Sequence, residues 1–285
     1  MFVDDARIII EEQAVAGATT PSDGRISLFA DAFTGHFWQI DDQGVATDIC
    51  FPVNTRYILE QWDCNNLATA ANIGGWQCST ILAGTIANVT TGIASGTPVN
   101  NQAVNLGNHP GVLSFSSSAT ANSGAQCTWG GSAIGFPAVT GRIFEFVFFT
   151  VNLANATIRL GTNDSTTVAD SVDGVYIEVA PGGIASGKSS DNSAQSVTAS
   201  TYTLDANTWY HARVRVTSAT AALFEIISEA GAVLWSDTVT GNIPTGVNRN
   251  SLPRFIATNS TTTATLICQL DMVSWKGPVA RGALR

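Results

Sequence analysis

Residues 142–151 read Arg-Ile-Phe-Glu-Phe-Val-Phe-Phe-Thr-Val, and this run narrows the fold more than any other segment. Strand alternation puts Phe144, Phe146 and Phe148 on one face and Ile143, Val147 and Phe149 on the other. A strand that is apolar on both faces belongs between two layers. Trp209–Ser218 keeps the same period with a cleaner polarity. Tyr210, Ala212, Val214 and Val216 point inward, and His211, Arg213 and Arg215 point outward. Leu223–Ser228 and Ala232–Val239 flank Glu229-Ala230-Gly231, a hairpin turn with glycine where positive φ is wanted. In the last strand, Thr265–Trp275, Leu266, Cys268, Leu270 and Met272 are predicted to face in, with Thr265, Gln269 and Asp271 out.

Further strands are predicted over Arg56–Asp63, Trp76–Leu82, Gly111–Ser117, Ala125–Trp129, Ala156–Thr162, Gly174–Ala180 and Arg254–Thr258. Asn65–Asn72 reads as a short helical turn, and Thr85–Asn108, rich in Gly, Thr, Asn and Ala, as long loops. Ten or more strands with almost no helical period predict an all-β chain, a jelly-roll β-sandwich.

The first fifty residues differ from the rest. Arg25–Ala30, His36–Ile40 and Val45–Ile49 are short alternating runs separated by Asp23-Gly24, Thr34-Gly35 and Asp41-Asp42-Gln43-Gly44. A three-strand meander of this size buries too little apolar area to stand alone. Charge marks the same segment. The 285-residue chain is 12% charged with net charge −9, against about 25% charged residues in a typical domain. Residues 1–50 hold nine acids and two bases; the other 235 hold 13 acids and 11 bases. The chain therefore divides into an acidic N-terminal module (1–50), a connecting region with the first sandwich strands (51–110) and a jelly-roll β-sandwich (111–285).

An acidic chain with no basic stripe is a poor match to nucleic acid. At 45% hydrophobic residues it is also too apolar for disorder. The start, MFVDDARIII, lacks the basic opening and long apolar run of a signal peptide, and no stretch reaches the ~20 apolar residues of a membrane span. The expectation is a chain made in a cytoplasm, without membrane insertion. Five cysteines at wide spacings include no CxxC pair, so neither a zinc site nor a cofactor is predicted. Cys64 and Cys78 are a candidate disulfide, and Cys268 reads as a buried hydrophobe.

Two segments carry a resemblance. Pro21–Ile49, with Gly24, Leu28, Gly35, Phe37, Trp38, Asp42 and Gly44 at matching positions, resembles the short N-terminal module of phage virion appendages: tail fibres, head fibres and decoration proteins. Residues 108–276 resemble concanavalin A-like lectin/glucanase jelly rolls of the kind found in phage structural proteins. The carrying motifs are Asn108-His-Pro-Gly-Val-Leu-Ser-Phe, Asn207-Thr-Trp-Tyr-His-Ala-Arg-Val-Arg-Val, Phe224-Glu-Ile-Ile-Ser-Glu-Ala-Gly-Ala-Val and Leu270-Asp-Met-Val-Ser-Trp. The resemblance implies a homotrimer in a virion, held through Leu28, Phe29, Phe37, Trp38 and Ile40 of the anchor module. Its acidic N-terminal segment would dock on a capsid or tail protein. That fold serves lectins, enzymes and structural proteins alike.

The residues weigh against catalysis. Glu225 and Glu229 have the outer spacing of the glucanase carboxylates but Ile227 between them, and strand rise separates them by roughly 13 Å against the ~5 Å of a retaining pair. Asp170 and Asp173 read as a solvated turn. His36, His109 and His211 are scattered, and no catalytic set is predicted. For a host-surface glycan, Trp76 and Trp129 are the expected ring faces, with Trp235 a further candidate and Trp62, Trp209 and Trp275 core residues. Asn163, Asp164, Asp170 and Asp173 form the densest oxygen cluster, too thin to predict calcium. The reading is a trimeric decoration protein or short head fibre. The alternatives are a tail fibre, a receptor-binding lectin-like protein or a glycan-cleaving enzyme.

Overall fold

The computed structural model describes residues 12–13, 27–31, 37–40, 46–48, 55–62, 76–88, 112–129, 138–165, 167, 169–246 and 251–280. The described residues are all β, with no helix among them. The chain forms two units, one of Met1–Tyr57 with Pro278–Arg285 and one of Ile58–Gly277. Charge alone places the division at residue 50 and gives no sign that the C-terminal residues group with the N-terminal ones.

The first unit holds a four-stranded sheet in the order β1 (Glu12–Gln13), β2 (Ser27–Asp31), β3 (Phe37–Ile40), β4 (Ala46–Asp48). The last three form the expected meander, with Phe29 paired to Trp38 and Gln39 to Thr47. The parallel addition of β1 on β2 has no counterpart in the sequence reading. The backbone places Leu28, Phe29, Phe37, Trp38 and Ile40 on β2 and β3.

The second unit is a sandwich of two antiparallel sheets. Sheet I runs β18 (Val233–Thr240), β17 (Ala221–Ser228), β16 (Trp209–Ser218), β10 (Ile143–Thr150), β20 (Leu266–Ala280), β8 (Leu113–Ser116), β7 (Thr85–Asn88), with β5 (Thr55–Trp62) also pairing β20. Sheet II runs β14 (Ala194–Val197), β13 (Ile184–Asp191), β12 (Gly174–Ala180), β11 (Ala156–Asn163), β19 (Leu252–Asn259), β9 (Ser123–Trp129), β6 (Trp76–Ile81), with β15 (Tyr202–Thr203) on β13. The strand β7 corrects the reading of 85–108 as loop throughout. The turn expected at Asn65–Asn72 and the remainder of 89–111 lie outside the described residues.

The inward faces meet as alternation dictates. Phe144, Phe146 and Phe148 of β10 are fully buried, as are Val214 and Val216 of β16. Phe255 of sheet II lies 5.1 Å from Phe115, 6.3 Å from Phe146 and 6.4 Å from Phe148 of sheet I, centroid to centroid. The outward Phe149 joins a second apolar cluster with Val112 and Trp209.

The end of β20 departs from expectation. Its register against β10 shifts between Val147 and Phe148, so Val147 pairs Met272 while Phe148 pairs Leu270 and Asp271 is extra. A bulge of one residue reverses the faces beyond it. Met272 therefore lies outward with Val147, and Val273 and Trp275 fill the core opposite Phe146 and Phe144. Gln269 and Asp271, expected in solvent, are buried.

The disulfide is not the expected one. Cys78 bonds Cys127, its direct cross-strand partner in the β6–β9 pair. Cys64 lies outside the described residues. Cys268 is free and fully buried, and burial pushes its thiol far above the usual range. Closing a loop across 49 positions stabilises a chain by at most about 4 kcal/mol. Replacing Cys78 and Cys127 together by serine is expected to cost about 2–4 kcal/mol in guanidinium unfolding. A non-reducing peptide map should show the linked peptides, with Cys268 alkylated only after unfolding.

Candidate functional site

The outward face of sheet II is the polar face of the sandwich. In β11, Ile158 and Leu160 turn inward, which turns Arg159, Gly161 and Asn163 outward. In β12, Val175, Ile177 and Val179 turn inward, which turns Tyr176 and Glu178 outward. Register then places Arg159 beside Glu178, and Tyr176 between Gly161 and Lys188.

These groups interlock. Arg159 Nε donates to Glu178 Oε2 at 2.7 Å, Lys188 Nζ meets Glu178 Oε1 at 2.7 Å, and both cations reach Asp170 Oδ1, at 3.1 and 3.2 Å. Arg159 Nη1 also donates to the carbonyls of Thr167 and Ala169, so the β11–β12 connection folds over this face. The guanidinium stands 5.7 Å from the centre of the Tyr176 ring. Gly161 is required here. It adopts φ +151°, and a Cβ would meet Val175 O at 2.3 Å and Tyr176 Cα at 2.6 Å. Burial raises the Tyr176 hydroxyl above its ordinary value. Burial pulls Lys188 down, but the hydrogen bond and charge of Glu178 outweigh it and hold the ammonium above its ordinary value.

Sheet I carries a smaller polar set outward. Glu145 Oε1 lies 3.6 Å from His211 Nε2 and its Oε2 3.2 Å from Lys276 Nζ, while Arg213 Nε donates to Glu225 at 2.7 Å. The adjacent His211 imidazole, opposed by burial and aided by Lys276, holds the Glu145 carboxyl at about 2.

The tryptophans expected to stack on sugar lie elsewhere. Trp76 and Trp129 are cross-strand partners on the face that carries the disulfide. Trp76 has no exposed surface, so no ring face is open to a ligand. Trp129 is half-buried, edge-on to Trp275 at 4.9 Å. Trp235 is buried and donates to Ser200 Oγ. Trp209 and Trp275 are buried as expected. The side chain of Trp62 lies outside the described residues, as do His36 and His109.

The acids also disperse. Glu225 is buried on Arg213, Asp173 accepts from the Asn192 amide, and Asp164 accepts from the Val172 amide. Among the described residues no group of three His, Cys, Asp or Glu side chains is placed to hold a metal ion. Sequence reasoning singled out none of Arg159, Tyr176, Glu178 and Lys188 as site residues. The signal was present: in a chain so poor in charge, charged residues occupy outward positions of three successive strands.

Fold and site together define an all-β jelly-roll sandwich with one strongly polar sheet face. The chain belongs to the SO2946-like family, whose C-terminal domain model matches residues 108–271. It is similar to the protein of unknown function SO2946 from Shewanella oneidensis MR-1, at 21% identity and a TM-score of 0.62, over 84% of this chain and 92% of that one. It is also similar to the CBM2 module of the evolved Dit of Lactobacillus casei BL23 phage J-1, at 11% identity and a TM-score of 0.50, over 81% of this chain and all of that one. No curated protein matches the chain in sequence.

Two measurements check the electrostatics. Glu178→Gln leaves two buried cations short of a partner and is expected to cost about 3 kcal/mol in urea unfolding, whereas Asp170→Asn, at a carboxylate 54% exposed, should cost under about 1. Glu145 has a folded pKa below its ordinary 4.5, so its stabilisation is full above 4.5 and is lost as pH falls toward about 2. Glu145→Gln should therefore lose less stability than the parent between pH 5 and pH 2.5.

Proposed function

We propose that this chain is a structural protein of a phage virion, a trimeric capsid decoration protein or short fibre, whose sandwich head adheres to carbohydrate through the outward face of sheet II. The observation that carries the reading is the state of Glu178. Each of its oxygens is held by a cation, so neither is free to act on a substrate. Retaining hydrolysis needs one carboxyl kept protonated beside a second, free one. The face offers instead a fixed array of donors and acceptors, which is what recognition of a polyhydroxyl surface uses.

Three further observations support the virion part. The four strands of the N-terminal sheet are five residues long or shorter, too small a sheet for an independent core and suited to completion by copies of itself. The Cys78–Cys127 disulfide suits a protein that works outside a reducing cytoplasm. The sandwich is a fold that a phage Dit module also has.

Mass spectrometry of purified virions is the deciding experiment. The chain should be present in copies divisible by three, and light scattering of the isolated protein should give three times 29.8 kDa. Absence from virions overturns the structural reading, and a monomer overturns the trimer. On a glycan array, Lys188→Ala should lose the binding shown by the parent; unchanged binding removes sheet II from the proposal.

A further inference from the structure

We propose that Arg254 and Asn163, on the outward face of sheet II, form a subsite for a carboxylate carried on a sugar. This rests on the carbohydrate reading above and names the glycan class: acidic saccharides of the uronate type.

Register brings the two residues together. Asn163 pairs Leu252, and Gly161 pairs Arg254, so Asn163 and Arg254 are diagonal neighbours on adjacent strands and one face. Arg254 is 6% exposed. Its Nε donates to Thr128 Oγ1 at 3.1 Å and its Nη1 to the Ser165 carbonyl. Both partners are neutral. Nη2 has no hydrogen-bond partner among the described residues, and no carboxylate there lies within ion-pair distance of the guanidinium; Asp164 acts on it only from farther away.

This differs from the other cations of the face. Arg159 and Lys188 share Glu178 and Asp170, two charges against two. Arg254 instead contacts a hydroxyl and a carbonyl. Burial lowers its pKa to about 10, so it stays a cation at neutral pH, with Asp164 acting on it from a distance and no acid in contact. A buried charge without a partner is expensive, and a bound anion removes the deficit.

Asn163 supplies the independent observation. It has no exposed surface, and neither Nδ2 nor Oδ1 has a hydrogen-bond partner. Native structures seldom leave both ends of a buried amide unmade. Nη2 and Nδ2 are donors suited to the two oxygens of one carboxylate, and Oδ1 is an acceptor for a hydroxyl on the same ring.

Calorimetry on the full chain tests this with three probes: an oligogalacturonate, the neutral oligogalactoside of the same length, and its sulfated form. The uronate should bind at least about tenfold tighter than the neutral sugar, the difference expected of one charge-assisted contact. Arg254→Gln should erase that preference. Asn163→Asp is nearly isosteric and places a carboxylate beside Arg254. It should raise Tm without ligand and abolish uronate binding, so it decides the matter even if Arg254→Gln fails to fold. Equal affinity for uronate and neutral sugar overturns the subsite and leaves the carbohydrate reading standing. A preference for the sulfated probe overturns the carboxylate assignment. Binding of none of the three overturns both.

Discussion

Phe255 stands where the two sheets meet. From the middle of β19 it reaches Phe115 on β8 and Phe146 and Phe148 on β10, two strands of the opposite sheet. Such contact between inner faces is the main apolar burial a two-sheet protein has. It fixes which residues of every strand point inward, and by strand alternation it fixes which point out. Arg159, Tyr176, Glu178, Lys188 and Arg254 share one surface because Ile158, Leu160, Ile177 and Phe255 share the core. The polar face is the other side of the hydrophobic one.

Charge follows the same geometry. The sandwich carries few ionisable groups, and those on its strands are concentrated outward and mostly paired. Glu178 serves two cations on sheet II, and Glu145 sits between His211 and Lys276 on sheet I. Arg254 departs from this economy, held by a hydroxyl and a carbonyl rather than by an acid. On sheet II, where carboxylates contact Arg159 and Lys188, that difference is the basis of the proposed subsite.

Much of the architecture was legible along the chain. The run Arg142–Val151 and the alternation of Trp209–Ser218 announced central strands, and β12 and β16 begin and end where their patterns do. The strand β13 was illegible because Ile-Ala-Ser-Gly-Lys-Ser-Ser-Asp has no apolar period. Its place depends on Phe224, whose ring lies where a Cβ of Gly187 would be, and on Ser189, which donates to Gly241 O. The face of Met272 was misjudged for a different reason: a bulge at Asp271 is an event between two strands, and one strand's pattern does not record it. Trp76 looked like a sugar platform while its strand partner was unknown. Opposite Trp129 and two residues from the disulfide, it is core.

By itself the sequence determined the class of fold, the strand-rich sandwich, and the separation of an acidic start from a nearly neutral remainder. These follow from residue period and composition, which are local properties. Tertiary structure alone decided which cysteine Cys78 bonds, which tryptophans are buried, and which outward residues of β11, β12, β13 and β19 converge. Those are matters of register between strands separated by as many as ninety residues, and register is set by the fit of the two inner faces rather than by any single segment.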